Sequence, residues 1–224
     1  MTFTGFPASA IEFYLGLEAD NSKEYWQSHK PIFDNEVKAP MAALIESVDK
    51  KYQPLHIFRP NRDVRFSKDK SPYKTAIGAV GETERGSVVY VQFSATGLFA
   101  ASGYYMMAPD QLERYRHAVD DGRKGAQLDK IAAALRAAKR PISSGGDADL
   151  KTAPKGYPKD HPRIEWLRRK GLVVVAEFGT PAWIHTARAL NKVQDAWSAA
   201  TALNAWLDSN VGPSQAPPED RWAR

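Results

Sequence analysis

The spacing of apolar residues divides the chain into a helical beginning, a centre typical of strands, and a helical end. Apolar residues recur at steps of three and four from Phe33 to Tyr52, which is the spacing of one helix face. Pro31 precedes this run and predicts a break from a shorter helix that begins near Asn21 and Glu24, two residues at capping-box spacing. Pro40 lacks a backbone N–H group and predicts a kink or a restart within the longer helix.

The centre of the chain predicts β-structure, because β-branched and aromatic residues dominate it. The expected strands are Thr75–Val80, Ser87–Phe93, Leu98–Met107 and, further on, Leu172–Phe178. The link from Ala95 to Gly97 is short enough for a hairpin, and no crossover helix fits between the first three strands. We therefore expect a central antiparallel sheet of three to five strands.

Helical spacing returns after Pro109. The expected helices are Asp110–Ala118, Gly125–Lys139, a short one over His161–Lys170, and a long C-terminal helix from Thr180 to Leu207. At 1.5 Å per residue, the last helix would be about 40 Å long. The predicted fold is α+β, a single domain over residues 1–211 with helices packed on the sheet. A flexible C-terminal tail is expected over 212–224, where three prolines occur.

The composition excludes several kinds of protein and site. The 224 residues include no cysteine, which excludes a disulfide scaffold, a thiolate metal site, an iron–sulfur cluster and a cysteine nucleophile. Glu12 and Glu18 interrupt the apolar residues near the beginning, which is not the pattern of a signal peptide. No apolar run approaches the ~20 residues that a membrane-spanning helix needs. We expect a soluble, cytoplasmic protein.

The positive charge of the chain is concentrated in two short segments. The formal net charge is +5, from 31 basic and 26 acidic residues. Residues 59–74 carry +4 and residues 151–171 carry +5, so the remaining chain carries −4. This distribution indicates local basic sites on a mildly acidic protein.

The first basic segment has the composition of an anion-binding loop. Hydroxyl groups, backbone N–H groups and lysines surround a Ser-Pro turn, which suits a phosphate or a carboxylate. Asp63, between two arginines, can hold their guanidinium groups by charge-assisted hydrogen bonds. The alternative interpretation is a solvated loop in which such pairs only pin the chain. The candidate ligand-binding residues are Arg62, Arg65, Ser67, Lys68, Lys70, Tyr73 and Lys74.

The second basic segment has a local structural explanation and a possible role in a site. Asp160 is placed to cap a short helix that begins near His161, and the basic residues at its end would complement the helix dipole. His161, next to Asp160, is the expected titrating histidine. Lys155 and Tyr157 would close a site together with His161.

Two adjacent tyrosines, Tyr104 and Tyr105, end a predicted strand and either line a pocket or belong to the core. The sequence has no glycine-rich nucleotide motif, no Gly-x-Ser-x-Gly elbow and no cluster of His and carboxylates at metal-ligand spacing. We therefore expect neither a metal nor a cofactor.

Four motifs together resemble a bacterial family known only as domain of unknown function 2461. They are the runs from Arg62 to Thr75, Asn21 to Trp26, Gly103 to Tyr105 and Lys155 to Pro162. The resemblance extends from about Phe3 to about Leu207, with Ser22 where the family tends to have asparagine. It implies a single domain and a bacterial cytoplasmic setting, and it implies no activity, substrate or cofactor.

The residues leave four functions open, in this order of preference. The first is binding of a phosphorylated or otherwise anionic small ligand. The second is an enzyme acting on such a ligand, with Asp63, Asp69 or the pair Asp160 and His161 as proton-transfer groups in one pocket. The third is a protein-interaction module built on the C-terminal helix. The fourth is nucleic-acid binding, which the acidic remainder of the chain disfavours.

Overall fold

A computed structural model describes residues 2–65, 69–83, 85–146 and 149–215 of the chain. The helices are α1 (Ala8–Ala19), α2 (Lys23–Ile32), α3 (Ala39–Ser47), α4 (Pro109–Asp120), α5 (Gly122–Ala137), α6 (Ile164–Leu167), α7 (Arg188–Ala199) and α8 (Thr201–Asn210). A π-helix (Phe33–Lys38) joins α2 to α3, and 3₁₀ turns cover Lys50–Tyr52 and Ala182–His185. The strands are β1 (His56–Ile57), β2 (Ala76–Glu82), β3 (Val88–Ser94), β4 (Gly97–Tyr104), β5 (Ile142–Ser143) and β6 (Leu172–Gly179).

The strands form one antiparallel sheet in the order β1-β2-β3-β4-β6-β5. This confirms the α+β class and the antiparallel pairing, but the sheet has six strands rather than three to five. The additional strands are the two edges, β1 and β5, which have two residues each. Two residues are too few to show the alternation of a strand, so the sequence pattern did not reveal them.

The sheet has one face packed against helices and one half-open face. On β3, Val89, Val91 and Phe93 are buried in the core that α1, α3 and α7 help to build. The alternate residues Tyr90 and Gln92 face the other side and are only partly buried. Because successive side chains of a strand point to opposite faces, the sheet offers an accessible surface made of every second residue.

The single long C-terminal helix that the sequence predicted is not found. A 3₁₀ turn, α7 and α8 take its place, and the helix is interrupted at Ala187 and again at Ala200. Val193 and Trp197 of α7 are buried with the N-terminal helices, whereas Leu203 and Trp206 of α8 are buried with α4 and α5. One apolar stripe therefore serves two parts of the core, which a straight helix could not reach. Both tryptophans are buried, so neither contributes to a partner surface on these helices.

Pro31 does not separate two helices, because it lies inside α2 and the chain continues helically to Ser47. The π-helix that follows has one more residue per hydrogen-bonded turn than an α-helix. Pro40 lies at the beginning of α3, directly after this π-helix, which agrees with the predicted restart. In the part of the chain that the structure describes, no helix is both long and apolar enough to cross a membrane.

Candidate anion-binding site

The first basic segment forms a loop whose two ends are bridged and fastened to the beginning of α2. The backbone N–H of Lys74 donates to the Pro60 carbonyl at 2.8 Å, and that of Arg62 donates to the Pro72 carbonyl at 2.9 Å. The Asn21 side-chain amide pairs with the Tyr73 backbone in both directions, donating to its carbonyl at 3.1 Å and accepting from its N–H at 3.0 Å. Asn21 thus holds the loop at a fixed place beside the helix.

Ser22, rather than Asn21, caps α2, because its hydroxyl accepts from the Tyr25 N–H at 3.0 Å. The sequence predicted Asn21 as the N-cap residue, which was therefore wrong by one position. Since Ser22 provides the cap, the Asn21 amide is available to bind the loop.

Aspartates hold two of the three arginines of the loop. Arg65 reaches both carboxylate oxygens of Asp63, with Nε–Oδ1 at 3.1 Å and Nη2–Oδ2 at 2.7 Å. Hydrogen bonds from Arg65 lower the pKa of Asp63 to about 2. Arg62 is paired through Nη1 with Asp69, and Ser71 together with this arginine lowers the pKa of Asp69. The pair of Asp63 and Arg65 is the one the sequence predicted, whereas Arg62 pairs with Asp69 and not with Asp63. Both pairs use charges that the anion-binding hypothesis had assigned to a ligand.

The remaining candidates of this loop differ in their accessibility. Lys70 donates from Nζ to the Val64 carbonyl at 2.9 Å, which closes the loop internally. Tyr73 is buried and stacks on Trp26 with ring centroids 4.2 Å apart, so it supports the site from behind and cannot contact a ligand. Ser67 and Lys68 lie outside the described residues. Lys74 is half-buried and lines a cleft.

We call this depression the cationic cleft. It lies between the helical segment 26–38 and the chain from His56 to Asn61, and its volume is about 980 Å³. The described residues that line it are Trp26, Lys30, Phe33, Asp34, Lys38, His56, Ile57, Phe58, Arg59, Pro60, Asn61, Lys74 and Ile77. Four of them are lysine or arginine and one is acidic, so an excess of positive charge faces an apolar floor.

The cations of the cleft fall into two groups. Lys30 is paired with Asp34 one helical turn later, so its charge is compensated. Lys38, Arg59 and Lys74 form no ion pair among the residues that the structure describes. Burial, and then the charges of Arg59 and Arg62, lower the pKa of Lys74. Lys74 therefore lies close enough to Arg59 and Arg62 to be repelled by their charges, an arrangement that an anion would relieve.

The second basic segment leads into the sheet at the end opposite to the one where the first basic segment leads into it. Residues 59–74 lead into β2 at Ala76, whose row across the sheet passes through Ser94 to Gly97. Residues 151–171 lead into β6 at Leu172, which pairs with Tyr104. Gly97 and Tyr104 are the two ends of β4, about 23 Å apart at the rise of an extended strand. Among the described residues, none from 151–171 lines the cleft.

His161 has a structural environment. Its Nδ1 accepts from the Arg163 N–H at 3.0 Å, so the proton lies on Nε2, which is 3.0 Å from Asp120 Oδ1. Its partner is thus a residue of α4 and not the neighbouring Asp160, which is exposed. Asp160 does not cap α6 either, because that helix begins at Ile164, after Arg163.

The other candidates of this segment contribute to packing or are exposed. Lys155 is exposed, and Tyr157 packs partly buried against the core of α4 and α5, where burial and the charge of Asp120 raise its pKa. His161 and Tyr157 therefore have structural environments, but not the ones predicted, because Asp160 does not cap the helix.

Tyr104 and Tyr105 have different environments. Tyr104 is buried and donates its hydroxyl to the Arg85 carbonyl at 2.6 Å, so it belongs to the core and not to a ligand site. Burial and the nearby Asp208 carboxylate raise its pKa. Tyr105 is 45% exposed and lines a groove on the half-open face of the sheet. With Tyr73 and Tyr104 buried, neither ring face is open to a nucleic-acid base.

Sequence reasoning missed Lys38 and His56, which line the cleft from two different walls. Lys38 ends the π-helix, whose wider turns rotate it away from the position that an α-helical pattern assigns. His56 lies on an edge strand too short to be predicted. Across the described residues no group of three His, Asp or Glu has the arrangement of a metal site.

Comparisons with known proteins gave one match. A family model described as a conserved hypothetical protein, DUF2461, matches residues 9–206. Neither the search of curated proteins nor that of solved structures found a match.

Proposed function

Because the chain belongs to the DUF2461 family of conserved hypothetical proteins, whose description assigns no activity, we propose a function from the site itself. The protein binds an anionic small ligand, a phosphate ester or a carboxylate, in the cationic cleft. The observation that carries this proposal is Lys74, a half-buried ammonium group beside Arg59 and Arg62 that no described carboxylate neutralises.

The cleft would bind the anion through point charges held on a rigid base. Asn21 fixes the backbone at Tyr73, directly before Lys74, so the lysine starts from a defined position. Arg59 and Lys38 approach from the two sides of the cleft. Charge-assisted hydrogen bonds contribute about 1.5–3 kcal/mol each, so two such contacts are sufficient for measurable binding of a small anion.

The alternative of an enzyme with Asp63 and His161 in one pocket has no support in this geometry. Arg65 keeps Asp63 ionised far below neutral pH, and its segment enters the sheet at the end opposite to that of His161. Asp69 is held by Arg62 and Ser71. None of these groups is placed to transfer a proton to a ligand in the cleft.

Titration calorimetry with inorganic phosphate at low ionic strength tests the proposal. The wild-type protein should bind phosphate, and Lys74→Met should weaken binding at least about tenfold, the loss expected for one charge-assisted contact. The matched control is Lys155→Met, which removes an exposed lysine of the second basic segment and should leave binding unchanged. No binding by wild type at millimolar phosphate, or equal weakening by both substitutions, would contradict the proposal.

A further inference from the structure

The half-open face of the sheet carries an apolar groove that continues from the cationic cleft. This sheet groove has a volume of about 580 Å³. Its floor is formed by the outward residues of β2, β3, β4 and β6, and Tyr105 and Met106 form part of its wall. The described residues that line it include no charged side chain. The groove and the cleft therefore differ sharply in character although they adjoin each other.

An aromatic row crosses the sheet along this groove. The ring centroids of Phe58 and Tyr90 are 6.3 Å apart, and those of Tyr90 and Phe99 are 6.0 Å apart. Burial, with a smaller contribution from Tyr105, raises the pKa of Tyr90 to about 12. The three rings of the row are partly buried.

Phe58 connects the two depressions, because it lines both the cationic cleft and the sheet groove. Lys74 Nζ lies 5.2 Å from the centroid of the Phe58 ring. The cationic group and the beginning of the aromatic row are therefore within the dimensions of one small molecule. A ligand held at Lys74 by its charge would extend past Phe58 into the groove.

Gln92 contributes a polar side-chain amide to the groove, and part of its hydrogen-bonding capacity has no partner among the described residues. Tyr90 donates its hydroxyl to Gln92 Oε1 at 2.8 Å, which fixes the amide. The amide nitrogen of Gln92 donates to no residue that the structure describes, and Gln92 lines the groove. A largely apolar groove with a few polar groups such as the Gln92 amide is typical of small-molecule sites, where such groups determine the orientation of the ligand.

We propose that the ligand is an amphiphilic anion, with its charged group in the cationic cleft and a flat aromatic body on the row of Phe58, Tyr90 and Phe99. This inference rests on the proposed function, since it names the class of ligand that the same cleft binds. The apolar lining favours a hydrocarbon or aromatic body over a sugar, whose hydroxyl groups would find few partners.

A series of three probes tests the proposal by calorimetry: inorganic phosphate, phenyl phosphate and 1-naphthyl phosphate. The three probes carry a similar charge, and their apolar part increases in size from inorganic phosphate to 1-naphthyl phosphate. If the body lies in the groove, naphthyl phosphate should bind at least about tenfold more tightly than phosphate, since burial of one large apolar group contributes about 1.5–3 kcal/mol. Equal affinities for all three probes would overturn the inference and leave the proposed function intact.

Two variants locate the body of the ligand. Ala101→Trp fills the groove from β4 and should abolish the gain of naphthyl phosphate without changing the affinity for inorganic phosphate. Val175→Phe fills it from β6 and is a second test if the first variant folds poorly. Leu15→Ser, at an exposed site on α1, is the control and should retain the full gain.

The outcomes separate the two proposals. Lys74→Met should weaken all three probes, because the charged group is common to them. If Ala101→Trp weakens the binding of naphthyl phosphate and Lys74→Met does not, the cleft and the groove do not bind one ligand together. That result would overturn the inference. Sedimentation velocity on the same samples tests another occupant: a dimer that Ala101→Trp dissociates would assign the groove to a second copy of the chain and overturn the inference.

Discussion

The ring of Tyr90 on β3 lies directly over Gly78 on β2. A Cβ atom at Gly78 would come within 2.6 Å of the Tyr90 hydroxyl oxygen and within 3.0 Å of its ring. The absence of a side chain at Gly78 therefore gives Tyr90 the space to lean across β2 towards Phe58, with which it forms the aromatic row. One glycine on the floor of the sheet determines where an aromatic ring of the neighbouring strand can lie.

We predict that Gly78→Ala moves Tyr90 and leaves the sheet intact. The contacting atoms are the far end of a flexible side chain, so the free energy of unfolding should fall by only about 1 kcal/mol. The loss should be smaller in a Tyr90→Phe background, which lacks the closest atom. Denaturant unfolding of the four proteins in this double-mutant cycle measures the coupling.

Gly103→Ala provides the contrast for this experiment. Gly103 has φ of 147°, and a Cβ there would lie 2.1 Å from the Leu172 carbonyl oxygen, a backbone atom of the neighbouring strand. Gly103→Ala should lower the free energy of unfolding by several kcal/mol, because the backbone of the sheet would have to shift. Similar losses for the two glycine substitutions would contradict the account of Gly78.

Asn21→Ala should loosen the loop of residues 59–74. The substitution leaves the Tyr73 N–H and carbonyl without their partners, which costs about 1–3 kcal/mol for such partly buried groups. Hydrogen exchange should become faster at the Tyr73 amide. The affinity for phosphate should fall, because Lys74 would no longer be held in its position. Asn21→Asp keeps the acceptor for the Tyr73 N–H and should retain more of its protection. Unchanged exchange in Asn21→Ala would show that Asn21 does not fix the loop.

The pair of Asp63 and Arg65 should stabilise the protein in a pH-dependent manner. The folded pKa of Asp63 is about 2, below the 3.8 of an unperturbed aspartate, so its contribution is fully present above pH 3.8. It is lost as the pH falls through about 2. Asp63→Asn should therefore lower Tm at pH 7, and the difference from wild type should vanish near pH 2. Asp160→Asn is the control, because Asp160 is exposed and forms no ion pair among the described residues.

Lys74→Met should stabilise the free protein slightly while it weakens phosphate binding. The pKa of Lys74 is lowered from 10.5, so the folded protein binds this proton less tightly than the unfolded chain. The charged lysine therefore destabilises the fold at neutral pH, and this effect disappears as the pH rises through the lowered pKa. Since Lys74 is only half-buried, we expect a gain below about 1 kcal/mol. Guanidinium unfolding at pH 7 and pH 10 measures it, and a loss of stability at pH 7 would contradict this account.

The sequence predicted the long strands and the pair of Asp63 and Arg65, because both depend on local pattern. β2, β3, β4 and β6 have seven or eight residues, enough for alternation or a continuous buried run. Asp63 and Arg65 are two residues apart, so side chains on one face of an extended chain can meet. For such features the residues concerned are neighbours in the sequence.

The cleft and the groove could not be predicted in this way, because their residues come together only in the folded chain. Lys38, at the end of the π-helix, and Arg59 line the same cleft although they are far apart in the sequence. Tyr90 and Phe99 face Phe58 because of the register of three strands. Lys74 was identified from composition alone, but the observation that distinguishes it from Lys70 is the absence of a carbonyl or carboxylate partner for its ammonium group in the described structure.

The two edge strands have a consequence for the behaviour of the protein in solution. β1 and β5 have two residues each, and Pro54, Pro60 and Pro141 stand close to them. Proline has no N–H to donate, and a two-residue strand offers few groups with which another chain could pair. Neither β1 nor β5 is therefore a good template for intermolecular β-pairing. The protein can expose an apolar groove on its sheet and still end that sheet in two strands that disfavour edge-to-edge contacts.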